Sequence, residues 1–386
     1  MTGDHGFGLY LHWPFCQSKC PYCDFNSHVT ATVDHDRWAA MLCREMETLA
    51  MRSGQAGRQL DSIFIGGGTP SLMAPAVMAA VLDRAQEIFT PAATIEITME
   101  ANPTSVEAAR LEAFAEAGAG RLSMGIQALD DAALASLGRS HSSTEALEAL
   151  ATARRIFPRV SADFIYARPG QTTAAWQEEL SRILDLGLDH LSLYQLTLEP
   201  GTAFHSRHKR GLLTIPDDDT SRALYDLTIQ RTSAAGLPAY EVSNHAREGA
   251  ACRHNLVYWR AGDWLGVGPG AYGRFWQDGQ RRETRSRRDP AAWLDQVEAQ
   301  GHALDQEGSD SPADAASEII MMGLRLSEGV DLSRLESLPG ADPGWINWQN
   351  LTRLEEEGLV LKDGEILQLS RKGRPLINAV LAAILA

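Results

Sequence analysis

Three cysteines near the amino terminus, Cys16, Cys20 and Cys23, are the residues of this sequence best suited to chemistry. Their spacing, C-x3-C-x2-C, places the thiolates close enough to surround one metal centre. Three protein ligands leave one position open, and open positions are where ligands exchange or react. From the residues alone, two other interpretations stand: a structural zinc site completed by His12 or His28, and three unrelated thiols.

Composition limits the classes of protein to consider. The chain has 386 residues, 44% of them hydrophobic, which is enough for one large domain and one small one. The formal net charge of −15 disfavours nucleic acid or an anionic membrane as a general partner. No apolar stretch has the length of a membrane span, and the first residues do not form a signal peptide. We therefore predict a cytoplasmic protein whose five cysteines are metal ligands or buried thiols.

Short apolar runs alternate with helical patterns through the first part of the chain, as in parallel strands covered by helices. The predicted strands are 8–13, 62–66, 94–99, 121–126, 160–166 and 190–198. The predicted helices between them are 34–52, 74–89, 105–117, 143–156 and 173–186. Six β/α units predict an α/β fold, a partial and laterally open (β/α)6 TIM-like barrel. A doubly wound open sheet is the alternative.

The pattern changes after residue 200. A helix is predicted over 218–235, followed by an irregular aromatic and glycine-rich stretch and an arginine-dense loop over 274–290. From residue 311 the order helix, helix, hairpin, helix predicts a small α+β domain resembling a winged helix. Its acidic second helix makes it a poor DNA-binding surface, so we expect a lid or packing role. The predicted domains are a barrel core over 1–235, an irregular extension over 236–310 and the small domain over 311–386.

Polar residues recur where the predicted strands end. Gly66-Gly67-Gly68-Thr69 ends the second strand, and glycine lets a backbone approach a small polar ligand closely. A tight turn is the alternative reading of these glycines. The later strands carry further polar residues at or near their ends, namely Glu100, Gln127, Arg139 and Asp163. Each alone fits a helix cap or a satisfied core group, but together they predict one ligand pocket at one end of the barrel.

The cysteine loop followed by Gly-Gly-Gly-Thr-Pro resembles the radical S-adenosylmethionine (SAM) superfamily. Further segments resemble its oxygen-independent coproporphyrinogen III oxidase group: 9–16, 20–28, 137–139, 169–172 and 193–196. The resemblance implies that Cys16, Cys20 and Cys23 ligate a 4Fe–4S cluster whose fourth iron binds SAM. It also implies a set of residues lining the SAM site: Tyr10, Gly67, Gly68, Thr69, Glu100, Gln127, Arg139 and Asp163.

That group has two branches. In the coproporphyrinogen dehydrogenases a fourth cysteine stands two residues after the third, at the position of Phe25, and a long extension precedes the first strand. Here Tyr10 has nine residues ahead of it. The chain is more similar to the haem-chaperone branch, which shares the sequence of residues 20–28. The resemblance implies that haem is a cargo delivered to acceptor proteins, with oxidation of coproporphyrinogen III as the alternative function.

Members of the haem-chaperone branch also carry His-Asn-x-x-Tyr-Trp, a motif implicated in haem binding and matched here by His254, Asn255, Tyr258 and Trp259. Histidine can ligate haem iron and aromatic faces can stack on a porphyrin, and Cys252 is a second candidate iron ligand. The alternative is that the motif anchors a loop against the barrel.

Arginines cluster shortly after this motif, in an otherwise acidic chain. They are Arg274, Arg281, Arg282, Arg285, Arg287 and Arg288. A solvated loop is one interpretation. Recognition of porphyrin propionates or of an acidic partner is the other, because arginine pairs well with carboxylates.

Overall fold

The computed structural model describes residues 5–30 and 32–385. Residues 1–4, at the start of the predicted barrel domain, and residue 386, at the end of the predicted small domain, lie outside this part. The strands are β1 Phe7–Trp13, β2 Phe15–Cys16, β3 His28–Val29, β4 Gln59–Gly67, β5 Thr90–Ala101, β6 Arg121–Gln127, β7 Arg159–Tyr166, β8 His190–Gln195, β9 Asn244–Ala246, β10 Asp263–Val267, β11 Tyr272–Gln277, β12 Gln280–Ser286, β13 Leu304–Ser309, β14 Val330–Asp331, β15 Val360–Asp363 and β16 Ile366–Leu369.

Helices follow most of these strands. They are α1 His35–Ser53, α2 Pro75–Ile88, α3 Ser105–Ala108, α4 Leu111–Glu116, α5 Asp131–Ser136, α6 Ser143–Ile156, α7 Thr173–Asp185, α8 Ala203–Lys209, α9 Asp218–Ala234, α10 Arg253–Trp259, α11 Pro290–Gln300, α12 Pro312–Gly323, α13 Ser333–Glu336, α14 Trp348–Glu356 and α15 Ile377–Ile384. Within the described residues, no helix combines the length and the apolar character needed to cross a bilayer.

The six predicted β/α strands pair in sequence order. Strands β1, β4, β5, β6, β7 and β8 form a parallel array in the middle of one large sheet. A doubly wound sheet would reverse its strand order part-way, so this order confirms the partial barrel. The sheet ends at β9 on one side and β13 on the other, and no pairing among the described residues joins these ends. The carboxyl ends of the parallel strands therefore face one laterally open space.

Local sequence signals begin and end the helices that cover this sheet. Asp34 caps α1 by accepting a hydrogen bond from the backbone N–H of Arg37, and Gly54 ends the helix in the left-handed conformation. Helix α1 buries Trp38 and further apolar residues spaced one helical turn apart against the sheet. The predicted helix over 105–117 is instead two short helices, α3 and α4. They are separated near Arg110, whose guanidinium donates to the carbonyls of the turn after β4.

The expectation of an irregular segment and an arginine-rich loop after residue 236 is wrong. Strand β10 pairs in parallel with β1, and β11, β12 and β13 continue the same sheet as antiparallel strands. Arg274 and Arg281 lie on these strands as buried side chains, paired with Asp263, Asp310 and Glu318. The sequence resembled a loop because arginine is usually exposed, whereas here buried carboxylates neutralise it.

The C-terminal residues form a small α+β unit with a core of its own, in which Ile320, Val360 and Leu367 are fully buried. Its sheet has the order β14, β16, β15, and β15 and β16 form the predicted hairpin. The predicted last helix is α15, which begins at Ile377 after a 3₁₀ turn over Arg374–Leu376. Glu318 of α12 receives hydrogen bonds from Arg274 and Arg281, so this unit packs on the outer strands of the large sheet.

The carboxylate of Glu45 in α1 is fully buried and joins the barrel to the antiparallel extension. It accepts hydrogen bonds from the backbone N–H of Gly268 (2.8 Å) and Ala303 (2.9 Å), the indole N–H of Trp293 (3.0 Å) and the hydroxyl of Ser286 (3.2 Å). Burial raises the pKa of Glu45 to about 7, while these hydrogen bonds oppose that rise. The Glu45 carboxylate thus holds together segments of the extension that are far from α1 in the sequence.

We predict that Glu45→Ala destabilises the protein by roughly 3–5 kcal/mol, because it leaves several buried donors without an acceptor. Thermal and urea unfolding of the variant and the parent protein measure this loss. The matched control is Glu47→Ala in the same helix, which removes an exposed partner of Arg84 and should change stability by less than about 1 kcal/mol. Equal stabilities of the two variants would contradict the role given to Glu45.

Candidate functional site

A cavity of about 690 Å³ opens at the carboxyl ends of the parallel strands. Cys16, Cys20 and Cys23 line it, from the loop that follows β1. The residues predicted for the SAM site line it as well, with one exception: Gly67, Gly68, Thr69, Glu100, Gln127, Arg139 and Asp163. The exception is Tyr10, which does not reach the cavity wall and whose hydroxyl lies 2.9 Å from Nδ1 of His12.

The cysteine loop presents its sulfur atoms to hydrogen-bond donors. The hydroxyl of Thr69 donates to Sγ of Cys16 (3.5 Å), and Nη1 of Arg139 donates to Sγ of Cys20 (3.6 Å). Burial raises the thiol pKa values of Cys16 and Cys23, so the apoprotein favours the protonated thiols there. Iron that replaces those protons would compensate the cost of burial, because metal binding to thiols releases their protons.

No group of three His, Cys, Asp or Glu side chains is placed to hold a single metal ion within residues 5–30 and 32–385. The three cysteines therefore share a cavity without converging on one ion-sized point. An iron–sulfur cluster does not need such convergence, because each thiolate binds a different iron. The donor set, three cysteines with donors at two of the sulfurs, fits a cluster better than a zinc ion.

The glycines at the end of β4 and directly after it let the chain pass beneath the cysteine loop. The N–H of Gly68 donates to the carbonyl of Trp13 (2.7 Å), and the N–H of Thr69 donates to the carbonyl of Phe15 (2.8 Å). A Cβ atom at residue 68 would lie 2.6 Å from that Phe15 carbonyl oxygen, which is too close for any side chain. Gly67 adopts a φ of 109°, which L residues rarely adopt. The turn is thus required by packing, and it also forms the cavity wall.

Two half-buried carboxyl groups, Glu100 and Asp163, line the cavity. Burial, aided by the negative charge of Asp163, raises the pKa of Glu100 to about 8, and burial also raises the pKa of Asp163. The hydroxyl of Ser123 donates to both carboxylate oxygens of Asp163, at 3.1 and 3.3 Å. The N–H of Gly67 donates to Glu100 (3.2 Å). Such a pair can accept from a ligand amine or from ribose hydroxyls.

Arg139 and Gln127 complete the polar wall. Nη2 of Arg139 donates to the carbonyl of Gly125 (2.9 Å) and to Oδ1 of Asn102 (2.5 Å). Gln127 has a φ of 73°, and a residue other than glycine in this region carries backbone strain, which is common at ligand sites. The sequence reasoning did not select Asn102, although its position two residues after Glu100 at a strand end was a usable signal.

Apolar residues form part of the cavity mouth. Phe25, which stands at the position of the fourth cysteine of the dehydrogenases, is 57% exposed and lines the cavity. Tyr194 and Val242 line it from the far side and are also exposed. The mouth therefore offers apolar surface beside the polar interior.

The motif His254, Asn255, Tyr258 and Trp259 lies in α10, and its residues do not line the cavity. His254 is 1% exposed; its Nδ1 lies 2.9 Å from the hydroxyl of Ser62 and its Nε2 lies 2.7 Å from the hydroxyl of Tyr258. Both ring nitrogens therefore have partners. The side-chain amide of Asn255 donates to the hydroxyl of Tyr240, and Trp259 packs beside Arg325.

Cys252 precedes α10 and is fully buried beside Glu96, and burial raises its thiol pKa to about 11. The placement of all these residues fits an anchoring role of the motif against the barrel.

Comparison with known proteins agrees with this geometry. A family model described as the Radical SAM superfamily matches residues 10–183, and one described as the HemN C-terminal domain matches residues 310–376. The radical S-adenosyl methionine domain-containing protein 1, mitochondrial, of Bos taurus is 38% identical, over 100% of this chain and 88% of that protein. The heme chaperone HemW of Escherichia coli is 35% identical, over 98% of each protein.

Among solved structures, the coproporphyrinogen III oxidase HemN of Escherichia coli, described as a radical SAM enzyme, has a TM-score of 0.81 at 25% identity. The similarity covers 98% of this chain and 90% of that one. On the strength of this similarity along the whole chain, the protein belongs to the radical SAM superfamily, in the HemN-like family that includes proteins named HemW.

Proposed function

We propose that this protein is a haem chaperone of the radical SAM type, which binds a 4Fe–4S cluster, SAM and haem and delivers haem to acceptor proteins. The observation that carries the proposal is the similarity, over 98% of both chains, to a protein named heme chaperone. The exposed Phe25 supports it, because this side chain offers apolar contact where a dehydrogenase has a fourth cysteine.

Cys16, Cys20 and Cys23 would hold the cluster. When bound, the cluster supplies an iron with an open position for the amine and carboxylate of SAM. Glu100 and Asp163 would accept hydrogen bonds from the bound SAM, Arg139 would keep the wall in place through Asn102 and Gly125, and the Gly67 turn would admit the ligand closely. The five cysteines are free thiols, which supports a reducing compartment, and we propose the cytoplasm.

We also propose that the chain divides after residue 235, between the barrel core and the extension, and after residue 310, between the extension and the small C-terminal domain. Acceptor proteins, rather than nucleic acid, are the proposed partners, since the net charge is −15.

The second candidate function is oxidative decarboxylation of coproporphyrinogen III. The similarity of fold to HemN favours it, since the two structures agree over nearly the whole chain. The two functions differ in product: an oxidase forms protoporphyrinogen IX, whereas a chaperone releases haem unchanged.

We predict that replacing Cys16, Cys20 or Cys23 by serine abolishes assembly of an intact 4Fe–4S cluster, because each thiolate holds one iron. Anaerobic reconstitution, iron and sulfide analysis and visible absorption measure this, with about four irons per chain expected in the parent protein. Cys43→Ser is the control, since Cys43 lies in α1, outside the cavity. Zinc without sulfide in the parent protein would overturn the cluster assignment.

We predict that the reconstituted protein binds haem and does not convert coproporphyrinogen III. Haem titration followed by visible absorption tests binding, and an anaerobic assay with SAM, a reductant and coproporphyrinogen III tests conversion. Detectable protoporphyrinogen IX would favour the oxidase. If the protein with an intact cluster does not bind haem, the proposed chaperone function is wrong.

We predict that His254→Ala lowers stability by roughly 2–4 kcal/mol, because it opens a cavity beside Phe64 and leaves the hydroxyls of Ser62 and Tyr258 without their partner. Haem affinity per folded molecule and the position of the haem absorption band should stay unchanged. Loss of the band at unchanged stability would instead identify His254 as an iron ligand. Cys252→Ala, measured in the same way, tests whether Cys252 is the iron ligand.

A further inference from the structure

Five arginines of the cluster form two sets, and Arg282 in β12 belongs to neither. Arg274 and Arg281 are buried and neutralised by the carboxylates of Asp263, Asp310 and Glu318. At the other end of β12 and just beyond it lies a second set, which we call the rim arginines: Arg285, Arg287 and Arg288. Packing of the small C-terminal unit accounts for the first set and leaves the rim arginines unexplained.

The rim arginines carry positive charge that the described residues neutralise only in part. Arg287 lies 3.8 Å from Asp305, a long and exposed ion pair. Neither Arg285 nor Arg288 forms an ion pair with an acidic side chain in the described part of the chain, and Arg288 is exposed. The nearby Asp289 already caps α11. In a chain of net charge −15, these arginines form a local patch of positive charge, which attracts anions.

This positive surface touches the cysteine loop. Nδ2 of Asn26 donates to the carbonyls of Arg288 (2.9 Å) and Pro269 (2.8 Å), and Nε of Arg288 lies 3.4 Å from Oδ1 of Asn26. The neighbouring residue in the loop is Phe25, 57% exposed at the cavity mouth.

On the adjacent strand, Tyr272 pairs in register with Arg285 and is 39% exposed. Tyr272 and the half-buried Arg285 are thus neighbours across the β11–β12 pair, beside the segment that contacts the cysteine loop.

We propose that Arg285 and Arg288 bind the two propionates of haem while its macrocycle lies against Phe25. This inference rests on the proposed function. A planar apolar ring with carboxylates at one edge matches an exposed aromatic near guanidinium groups that have no acidic partner in the described part of the chain. An acidic protein surface would match the arginines alone, but it gives no reason for an exposed phenylalanine that borders the cavity.

The test compares haem with haem dimethyl ester, in which the propionates carry no charge, on the anaerobically reconstituted full chain. The parent protein should bind haem more tightly than the ester. The double variant Arg285→Gln/Arg288→Gln should bind haem about tenfold more weakly and the ester unchanged, so that the preference disappears. Phe25→Ala should weaken binding of both ligands.

The control variant is Arg154→Gln/Arg155→Gln, which removes the same charge from exposed residues at the carboxyl end of α6, at the opposite end of the barrel. It should retain the parent preference, and thermal unfolding checks that each variant is folded. If the parent protein binds no haem, the proposed function fails and the inference with it.

If the parent protein binds haem but the double variant keeps the parent preference, or weakens both ligands equally, the inference is overturned and the function stands. Unchanged haem affinity with slower transfer to an acceptor would also overturn it, in favour of an acidic protein partner.

Discussion

The cysteine loop is held on two sides by contacts within the protein, and the candidate site depends on this arrangement. Beneath it, the backbone of Gly68 and Thr69 binds the carbonyls of Trp13 and Phe15, which is possible only because residue 68 has no side chain. At its side, the amide of Asn26 bridges to the segment that ends β12. Two independent supports fix where the thiols face before any ligand binds, which reduces the entropy lost on binding.

The second support rests on the buried carboxylate of Glu45. Gly268 and Ser286 donate hydrogen bonds to Glu45. Close to them in the chain, the carbonyls of Pro269 and Arg288 accept hydrogen bonds from the side-chain amide of Asn26. A helix on the outside of the barrel therefore positions the loop at its open end through a chain of hydrogen bonds. A carboxylate of this kind is costly to bury, and the hydrogen bonds from its four donors offset part of that cost.

The parallel part of the fold could be predicted from the sequence because its strands are buried on both faces and read as apolar runs. The polar strand ends were predicted correctly to meet at one cavity, since parallel strands bring their carboxyl ends together. The antiparallel extension was not predicted, because Arg274 and Arg281 resemble surface residues until their carboxylate partners are known. Residue type also could not tell whether His254 faces a ligand or the interior, since that depends on how α10 packs.

The distribution of charge suits different regions of the protein to the two proposed ligands, SAM and haem. The cavity holds Glu100, Asp163 and Arg139, groups suited to the amine, carboxylate and ribose of SAM. Phe25 lies at the mouth of that cavity and is exposed, as are Arg287 and Arg288, whereas Arg285 is half-buried. An oxidase must enclose its substrate beside the reactive centre, whereas a carrier must present its cargo to another protein. In the proposed arrangement haem occupies the exposed surface, so an acceptor could reach it without SAM leaving the cavity.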